Sequence, residues 1–308
     1  MPDLPSPWPR PGYRSRPATA ADAPAMHALV ALCESEVLGR AETGLDVIVA
    51  ELAQSDLDPA LDTLLVHAAS GELAACAWVV RGRRSAVEVH PGHRGIGLGA
   101  ALLQWAEERA RGTGSERLVQ TAWDEDRATV ALLRSRGYAP YVSQWQLEIA
   151  LPTEPEVPAP PAGVTVRPFH EADRHAAHRL TEDAFDEWQQ RRKPYDEWAR
   201  LTVDRATFAP GLSPVALVGD EMVGAALCLD VPGTGEGYVE RLAVRRDHRN
   251  RGIARILLRE AFRGFHRHGY RSCTLWTHSR TGALALYERV GMNVRQGSTV
   301  YAKALAAG

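Results

Sequence analysis

Residues 239–258 read VERLAVRRDHRNRGIARILL, and residues 87–103 read VEVHPGHRGIGLGAALL. In both segments an apolar run precedes a turn of the pattern R-x-x-G-x-G/A, and apolar residues at helical spacing follow it. This order predicts a strand, a glycine-containing turn and a helix. Small residues in such a turn let backbone amides approach an anion, and the helix N-terminus adds free N–H groups and a positive dipole end. Each segment therefore predicts a binding site for a pyrophosphate.

The two segments belong to an internal repeat. Arg249 stands 155 residues after Arg94, and two further blocks recur in the same order at similar offsets. RPFHEAD at 167–173 follows RPATAAD at 16–22 by 151 residues, and LYERVGM at 286–292 follows LLRSRGY at 132–138 by 154 residues. Three ordered blocks at nearly constant spacing indicate a duplicated domain.

A proline-rich segment separates the two copies. Residues 151–163 read LPTEPEVPAPPAG, and so many prolines cannot continue a helix or a central strand. The segment therefore predicts a stiff, extended linker. We expect an N-terminal domain at residues 13–150, this linker at 151–163, and a C-terminal domain at 164–308.

Within each copy the hydrophobic pattern changes repeatedly between strand and helix types. In the second copy it predicts a strand at VTVRPF, an amphipathic helix at ADRHAAHRLTEDAF, a hairpin at PVALVGDEMVGAALCLD and a strand at YVERLAV. A helix over 254–268, a strand at CTLWTH and a helix at TGALALYERVG follow, the last ending at Gly291. The expected fold class is α/β, with a mixed central sheet in each of two tandem domains.

The composition is that of an ordinary globular protein. Of 308 residues, 45% are hydrophobic and 24% charged, and the formal net charge of −2 provides no basic field for nucleic acid or an anionic membrane. The 4 cysteines lie in apolar stretches, which favours buried thiols and a reducing compartment. His175 with His178, and His266 with His268, lack convergent cysteines or carboxylates, so no metal site is expected. With no apolar run of membrane length and no secretory signal pattern, we expect a cytoplasmic monomer or homodimer without nucleic-acid or membrane partners.

Two other kinds of glycine turn fit the pattern poorly. A dinucleotide-binding turn would open the first βαβ unit and precede an acidic residue by about 20 positions. Here the turn lies deep in each copy, behind a predicted hairpin. A phosphate-binding P-loop would carry a lysine, which both turns lack.

The turn, the preceding LAV and the following LYERVGM together resemble the acyl-CoA signature of the GNAT N-acetyltransferase superfamily. RGIGLG and RSRGY in the first copy resemble it more weakly, and the tandem arrangement is similar to that of mycothiol synthases and their actinobacterial relatives. The resemblance implies acetyl-CoA as co-substrate and direct acetyl transfer to an amine. In the C-terminal copy it implies a coenzyme site at Leu242, Ala243, Val244, Arg249, Asn250, Arg251, Gly252, Ile253 and Ala254. In the N-terminal copy it implies one at Arg94, Gly95, Ile96, Gly97, Leu98 and Gly99.

The resemblance also implies a catalytic acid. In this superfamily a tyrosine of the last helix often lies near the coenzyme sulfur and protonates the departing thiolate. Tyr287 occupies that place, and a phenol with a pKa near 10 suits a thiolate with a pKa near 8.5; packing of the helix onto the sheet is the alternative role. Leu133 at the matching position cannot donate a proton, so we expect an N-terminal domain that is degenerate in chemistry but able to bind coenzyme. Arg280 and Met292 depart from the pattern, standing where an asparagine and an aromatic residue are usual.

A general base is expected on the strand that leads into the glycine turn. Glu240 is the first candidate and Glu236 the second, since residues 236, 238 and 240 share one strand face. A carboxylate there accepts the proton of the acceptor amine directly or through water. The alternative role of Glu240 is a surface charge paired with Arg241 or Arg245. Mycothiol synthases usually carry their acid nearer the start of the strand.

Residues 183–198, DAFDEWQQRRKPYDEW, resemble the segment that covers the acceptor in the mycothiol synthase group. The basic run QQRRK, from Gln189 to Lys193, is either a solvated face or a recognition site for an anionic group of the acceptor. Trp188 and Trp198 are expected mainly in the core, with a place in the wall of the acceptor pocket left open for one of them.

The predicted function is transfer of an acetyl group from acetyl-CoA to the primary amine of a small molecule, with the C-terminal domain as the catalytic copy. The cysteinyl amine of mycothiol synthesis, an antibiotic or metabolite amine, and a protein N-terminus or lysine are the acceptors considered. The alternative from a different class is a non-catalytic acyl-CoA-binding or sensor protein, in which both copies bind coenzyme and neither transfers it.

Overall fold

The chain forms two compact units. A computed structural model describes residues 11–186, 191–231 and 235–305. Unit 1 comprises Met1–Ser143 together with Gly297–Gly308, and unit 2 comprises Gln144–Gln296. No helix in the described ranges combines the length and the apolar character that crossing a membrane requires.

Strands and helices alternate along both halves of the chain. The strands are β1 (Arg14–Arg16), β2 (Thr63–His67), β3 (Leu73–Val80), β4 (Arg84–Val89), β5 (Arg117–Trp123), β6 (Ala139–Ala150), β7 (Val164–Pro168), β8 (Pro214–Val218), β9 (Glu221–Asp230), β10 (Glu236–Val244), β11 (Ser272–His278) and β12 (Asn293–Ala304). The helices are α1 (Ala23–Leu38), α2 (Leu45–Leu52), α3 (Pro59–Asp62), α4 (Leu98–Gly112), α5 (Arg127–Ser135), α6 (Arg174–Phe185), α7 (Tyr195–Leu201), α8 (Ile253–Arg267) and α9 (Leu284–Arg289).

Each unit is built on one mixed sheet. In unit 1 the strand order is β1-β2-β3-β4-β5-β12, and in unit 2 it is β7-β8-β9-β10-β11-β6. The pairs β4–β5 and β10–β11 are parallel, whereas the other pairs within each unit are antiparallel. A parallel pair needs a crossover connection, which α4 and α8 provide directly after the two glycine turns.

The last strand of each half of the chain pairs in the unit that is built mainly from the other half. β6 ends the first half, and its residues from Gln144 to Ala150 pair with β11 of unit 2. β12 ends the second half, and its residues from Ser298 to Ala304 pair with β5 of unit 1. The compact units thus exchange these strands relative to the two halves of the repeat, and the domain boundaries at 13–150 and 164–308 stay a prediction. A strand pattern in the sequence identifies a strand but not its partner, because strand alternation is the same in either sheet. Residues 151–163 form neither helix nor strand.

The duplication is visible in individual hydrogen bonds. In unit 1, Arg16 donates to both carboxylate oxygens of Asp22, at 2.8 and 2.6 Å, and to the carbonyl of Pro17 at 3.0 Å. In unit 2, Arg167 donates to both carboxylate oxygens of Asp173, at 2.6 and 2.9 Å, and the carbonyl of Pro168 accepts at 3.0 Å. Such bidentate pairs fix both position and orientation, so both halves anchor their first strand to their first helix in the same way.

The sheet of unit 2 is covered on both faces. α8 packs on one face with the fully buried rings of Phe262 and Phe265, and α6 and α7 pack on the other around Trp198. A side chain at Gly237 would overlap the ring of Phe265, so close approach of α8 to β10 requires glycine there. Burial of each large apolar side chain stabilises the fold by about 1.5–3 kcal/mol, and these two layers therefore fix where β10 and β11 lie.

The two parallel strands of unit 2 separate towards their C-terminal ends. β10 pairs with β11 only from Glu236 to Tyr238 among the described residues, and its register with β9 shifts between Val239 and Arg241. The shift is a β-bulge that leaves Glu240 without a partner residue on β9. In unit 1, β4 pairs with β5 only at Arg84 and Ser85 in the described ranges, and its register with β3 is continuous. Each pair opens towards its glycine turn.

Candidate active site

The turn between β10 and α8 has left-handed backbone at two positions. Asn250 has φ +60° and Gly252 has φ +82°; in the turn of unit 1, Gly95 has φ +76° and Gly97 has φ +94°. Glycine adopts this left-handed backbone conformation without steric cost, and asparagine adopts it more readily than most other residues, which accounts for the residue types at these positions. The motif arginine of each turn is hydrogen-bonded to the end of the preceding strand. In unit 2, Arg249 Nε donates to the carbonyl of Val244 at 3.2 Å. The equivalent bond in unit 1 joins Arg94 to Val89 at 3.1 Å.

The turn of unit 2 presents free backbone amides at a helix N-terminus. The first backbone bond into α8 runs from the N–H of Ile256 to the carbonyl of Gly252, at 3.1 Å. Within the described part of the chain, the amides of residues 251–254 have no hydrogen-bond acceptor. α8 is 15 residues long, so its dipole adds to the attraction for an anion at this end. The geometry suits a pyrophosphate.

A cavity of about 810 Å³ extends from this turn along the opening between β10 and β11. Of the nine coenzyme positions predicted in this half of the chain, eight contribute to its wall, namely Leu242, Ala243, Val244, Arg249, Asn250, Gly252, Ile253 and Ala254. Arg251 is exposed and its side chain lies outside the wall. Arg280, at the position where the family pattern favours asparagine, also lines the cavity.

A second cavity, of about 310 Å³, adjoins the first. The two share four wall residues, which are Phe185, Leu242, Thr281 and Tyr287. Glu240 and Lys193 line only the smaller cavity. Tyr287 therefore stands at the junction of the two adjacent cavities, and Glu240 lines the smaller of them.

The Tyr287 side chain is buried, with 7% of its surface exposed. It lies in the short helix α9 and packs into the apolar core under α8, so the predicted packing role is also present. Burial raises the pKa of the phenol to about 12, and a hydrogen bond with Thr277 acts in the opposite direction. The phenol is therefore protonated at neutral pH and available as a donor.

The Glu240 carboxylate lies at the β-bulge of β10. Burial raises its pKa, while Arg241 and Arg205 lower it. The nearest guanidinium nitrogen is Nη1 of Arg205, at 3.8 Å. Arg245 instead pairs with Glu221 and Asp247, and Arg241 lies over the ring of Phe185 at 5.9 Å. A carboxylate with a raised pKa is a stronger base, which suits proton removal near neutral pH.

The second base candidate lies elsewhere. Glu236 accepts from Arg295 at 2.9 and 3.1 Å, and it sits where β10 and β11 are still paired. It belongs to the wall of neither cavity. The structure therefore separates the two candidates, and of the two it is Glu240 that lines the smaller cavity.

His278 is a wall residue that the sequence did not single out. It ends β11, lines the smaller cavity, and its buried Nδ1 has no hydrogen-bond partner among the described residues. Burial lowers its pKa, with Arg280 acting in the same direction, so the imidazole is neutral at pH 7. A histidine at the end of a predicted strand gives no local signal of such a position, because only the splaying of β11 from β10 brings it to the cavity.

The segment predicted to cover the acceptor is partly described. Gln189 and Trp188 lie outside the described residues. The Arg191 and Arg192 side chains pair with acidic neighbours on the same segment and on α6. Lys193 lines the smaller cavity and its amide donates to Glu182 at 2.6 Å. Of the basic run, Lys193 is thus the described residue that reaches the site, while Trp198 is fully buried in the core.

Unit 1 has a smaller cavity at its own turn. Its volume is about 320 Å³, and its wall includes Arg94, Gly95, Gly97, Leu98 and Gly99 but not Ile96, which packs against the core. Leu133, fully buried, lines this cavity as well. No hydroxyl therefore stands at the place that Tyr287 occupies in unit 2.

Two of the histidines considered in the sequence, His175 and His178, make contacts around helix α6. His178 hydrogen-bonds the carbonyl of Lys193 at 2.8 Å, and His175 stacks on Tyr195 with ring centres 4.1 Å apart. In unit 1 the ligand atoms of Glu72, His90 and His93 lie within 4.8 Å of one another, a grouping that the sequence did not suggest. The amide of Gly92 donates to His90 Nδ1 at 3.1 Å, and His90 Nε2 lies 3.4 Å from a carboxylate oxygen of Glu72.

Comparison with known proteins decides the family. The sequence pattern of the Acetyltransferase (GNAT) family matches residues 1–138 and 174–292. The chain belongs to the GNAT acetyltransferase family. The predicted resemblance and the predicted fold class of two tandem GNAT regions are therefore confirmed, and both halves of this GNAT protein carry the pattern.

Solved structures extend the similarity to the whole chain. A GCN5-related N-acetyltransferase from Sphaerobacter thermophilus has 30% sequence identity and a TM-score of 0.78, over 96% of each chain. A tandem GNAT protein from the clavulanic acid biosynthesis pathway, solved without AcCoA, has 18% identity and a TM-score of 0.74, over 96% of this chain and 99% of its own. No functionally curated protein matches the sequence. Family and similar structures together indicate an acyltransferase.

Proposed function

We propose that unit 2 is an acetyl-CoA-dependent N-acetyltransferase acting on the primary amine of a small molecule. The observation that carries this proposal is the junction of two cavities at Tyr287, with Glu240 on the wall of the smaller one. A donor bound along the larger cavity brings its thioester to the junction, and an amine in the smaller cavity meets it there. Direct transfer depends on holding two reactants in contact in this way.

The donor's pyrophosphate binds the amides of residues 251–254. These amides lack internal acceptors and lie at the positive end of α8, so they offer both hydrogen bonds and charge complementarity. Val244 and Leu242, on the part of β10 that has separated from β11, line the path from the turn to the junction.

Glu240 acts as the base. The amine nitrogen attacks the thioester carbonyl, a C–N bond forms, and the nitrogen loses a proton to the Glu240 carboxylate directly or through water. The C–S bond then breaks and the thiolate leaves. Because burial raises the pKa of Glu240, the carboxylate is better matched to an amine proton than an exposed one would be.

Tyr287 acts on the departing sulfur. Burial raises the pKa of its phenol to about 12, so the phenol is protonated at neutral pH. It donates a hydrogen bond to the sulfur as the C–S bond breaks and protonates the departing thiolate, and solvent then returns a proton to the phenolate.

The wall of the smaller cavity indicates what kind of amine fits. Its volume of about 310 Å³ suits a small molecule, and the Lys193 and Arg241 side chains line it beside Glu240. A primary amine next to Glu240 and an anionic or polar group next to Lys193 would match these charges. An extended protein segment has less room in a cavity of this size.

The proposal is tested by titrating the full-length protein with acetyl-CoA in a calorimeter and then following thiol release with a panel of small amines. The panel includes amino acids, amino sugars and simple alkylamines. Coenzyme binding together with thiol release in the presence of any of these amines supports the proposal. Tight binding without turnover across the panel favours the acyl-CoA sensor instead, and absence of binding contradicts the coenzyme assignment.

We place the reaction in the cytoplasm, because all four cysteines are buried free thiols, as is typical of reducing compartments.

We also propose that unit 1 is the non-catalytic copy. Leu133 replaces the donor tyrosine there, and the cavity at its turn is less than half as large as that of unit 2.

A further inference from the structure

A second pair of adjacent cavities lies in unit 1, and Glu88 contributes to both walls. One is the cavity of about 320 Å³ at the Arg94–Gly99 turn, and the other, of about 230 Å³, lies between the sheet and helices α1 and α2. Glu88 on β4 belongs to both walls. Val87, Gln120, Asp126 and Thr129 also line both.

The same place in unit 2 is apolar. The repeat offset of 155 aligns Glu88 with Ala243, and the offset of 151 aligns Cys33 and Glu34 with Ala184 and Phe185. All three positions in unit 2 line the proposed coenzyme cavity. In unit 1 a thiol and two carboxylates have taken their place, so the duplicated site differs in the charge of its wall.

Most acids around the cavity of 230 Å³ have partners. Glu34 accepts from the amides of Glu42 and Thr43, at 2.7 and 2.8 Å. Glu51 pairs with Arg84 at 2.6 Å. These two carboxylates are therefore accounted for by the fold of unit 1 itself.

Glu88 is different. No amide or cationic side chain within the described ranges hydrogen-bonds its carboxylate; its neighbour is the Cys33 thiol. Arg94, whose charge lowers the pKa of Glu88, donates instead to Glu36 at 2.5 Å and to the carbonyl of Val89 at 3.1 Å. The pKa of Glu88 is raised to about 7, because the effects of burial and of the nearby Glu34 and Asp126 outweigh the opposite effects of Cys33 and Arg94. A carboxylate in this setting lacks the positive charge that would stabilise it.

The remaining wall favours an organic cation over a hydrated metal ion. Trp78 and Trp123 line the cavity, together with Val30 and Ile48. Aromatic and aliphatic side chains contact the carbon skeleton of an amine, and an aromatic face attracts its ammonium group. We propose that unit 1 binds a small organic cation, an alkyl- or arylalkylamine, in this cavity, with the Glu88 carboxylate as counter-ion. Since Leu133 stands where unit 2 has Tyr287, the amine bound here is a ligand and not an acyl acceptor.

The proposal is tested on the full-length protein with 2-phenylethylamine and propylamine as probes and 2-phenylethanol as the uncharged control. Calorimetry gives the affinity, and the midpoint of thermal unfolding reports stabilisation. We expect at least one amine to bind and the alcohol not to bind. Glu88→Gln is expected to weaken amine binding at least tenfold, whereas Glu88→Asp, which keeps the charge, should retain part of it.

Glu240→Gln in unit 2 is the matched control, because it removes a carboxylate from the other amine-sized cavity. Amine binding that survives Glu240→Gln and is lost in Glu88→Gln supports the proposal. Binding of neither amine, or equal binding by wild type and Glu88→Gln, overturns it. A thermal midpoint of Glu88→Gln at or above that of wild type at pH 8 shows that lost binding does not reflect lost folding.

Discussion

The two halves of this protein share a backbone plan and differ in the residues around the opening between their parallel strands. Both anchor the first strand with an Arg–Asp pair, and both place a left-handed glycine before the crossover helix. In unit 2 a bulge in β10 lies at Glu240, which lines the smaller cavity, and Tyr287 on α9 supplies a phenol. Unit 1 has a regular β4, a buried Leu133 and an acidic wall at Glu88. The two halves therefore share the elements that hold the glycine turn and differ in the side chains of the cavity wall.

The largest expected effect concerns the turn itself. Gly252→Asp places a negative charge at the pyrophosphate site, and like charges in contact cost several kcal/mol, so acetyl-CoA affinity should fall by about 10³-fold. Gly252→Asn is the control, since it has the same shape and backbone demand without the charge, and should lose far less. Calorimetry with acetyl-CoA gives both values. Equal acetyl-CoA affinities for the two variants would contradict the proposal that the pyrophosphate binds at this turn.

The corresponding change in unit 1 sharpens the comparison. Gly97→Asp should leave the affinity and rate measured for unit 2 unchanged. If the wild type binds two coenzymes, the variant should bind one. A loss of turnover in Gly97→Asp would contradict the proposal that unit 2 carries the reaction.

Removal of the phenol is expected to reduce the rate without reducing coenzyme affinity. Tyr287→Phe keeps the buried ring but deletes the hydrogen-bond donor, so kcat should fall by about 10²-fold. Steady-state thiol release measures kcat, and calorimetry checks that acetyl-CoA still binds. An unchanged kcat would leave Tyr287 with only its packing role under α8.

Loss of the base should change the pH profile as well as the rate. Glu240→Gln should lower kcat by about 10–10²-fold and remove the acid limb of kcat/KM. In wild type this limb should lie above the range of an ordinary glutamate, because burial raises the pKa of Glu240 and activity is lost as pH falls through that raised value. His278→Gln serves as comparison. If it abolishes the acid limb while Glu240→Gln does not, the neutral imidazole is the base.

The smallest effect concerns Arg205. Its guanidinium lowers the pKa of Glu240, so Arg205→Gln should move the acid limb to higher pH while changing the maximal rate by only about twofold. A limb that moves to lower pH, or does not move, would show that Glu240 does not set it.

Local patterns predicted the parts of the fold that depend on neighbouring residues. The helix predicted over 254–268 forms over Ile253–Arg267, and the strand predicted at CTLWTH forms over Ser272–His278. Gly291 has φ +96°, as expected of a glycine that ends a helix. These features follow from hydrophobic period, glycine position and repeat alignment.

Features that depend on distant residues were not predictable in the same way. The position of Glu240 on its strand face was predicted, but not the bulge that removes its pairing partner, because a bulge depends on the register with β9. His278 reaches the cavity only through the separation of β11 from β10. Glu88 stands in an alternating V-E-V pattern typical of an exposed strand face, and only the packing of α1 and α2 encloses it.

The exchange of final strands has a consequence for biosynthesis. β5 lies in the first half of the chain, but the residues of β12 that pair with it are translated 175 to 187 positions later, from the pair Trp123–Ser298 to the pair Arg117–Ala304. Until β12 is synthesised, the edge of β5 lacks its partner strand from unit 1, and unpaired strand edges promote aggregation. A fragment that ends at the proline-rich segment contains β5 but not β12, and one that begins there contains β11 but not β6. In the full chain, each half of the repeat therefore supplies the strand that pairs at the end of the other half's sheet.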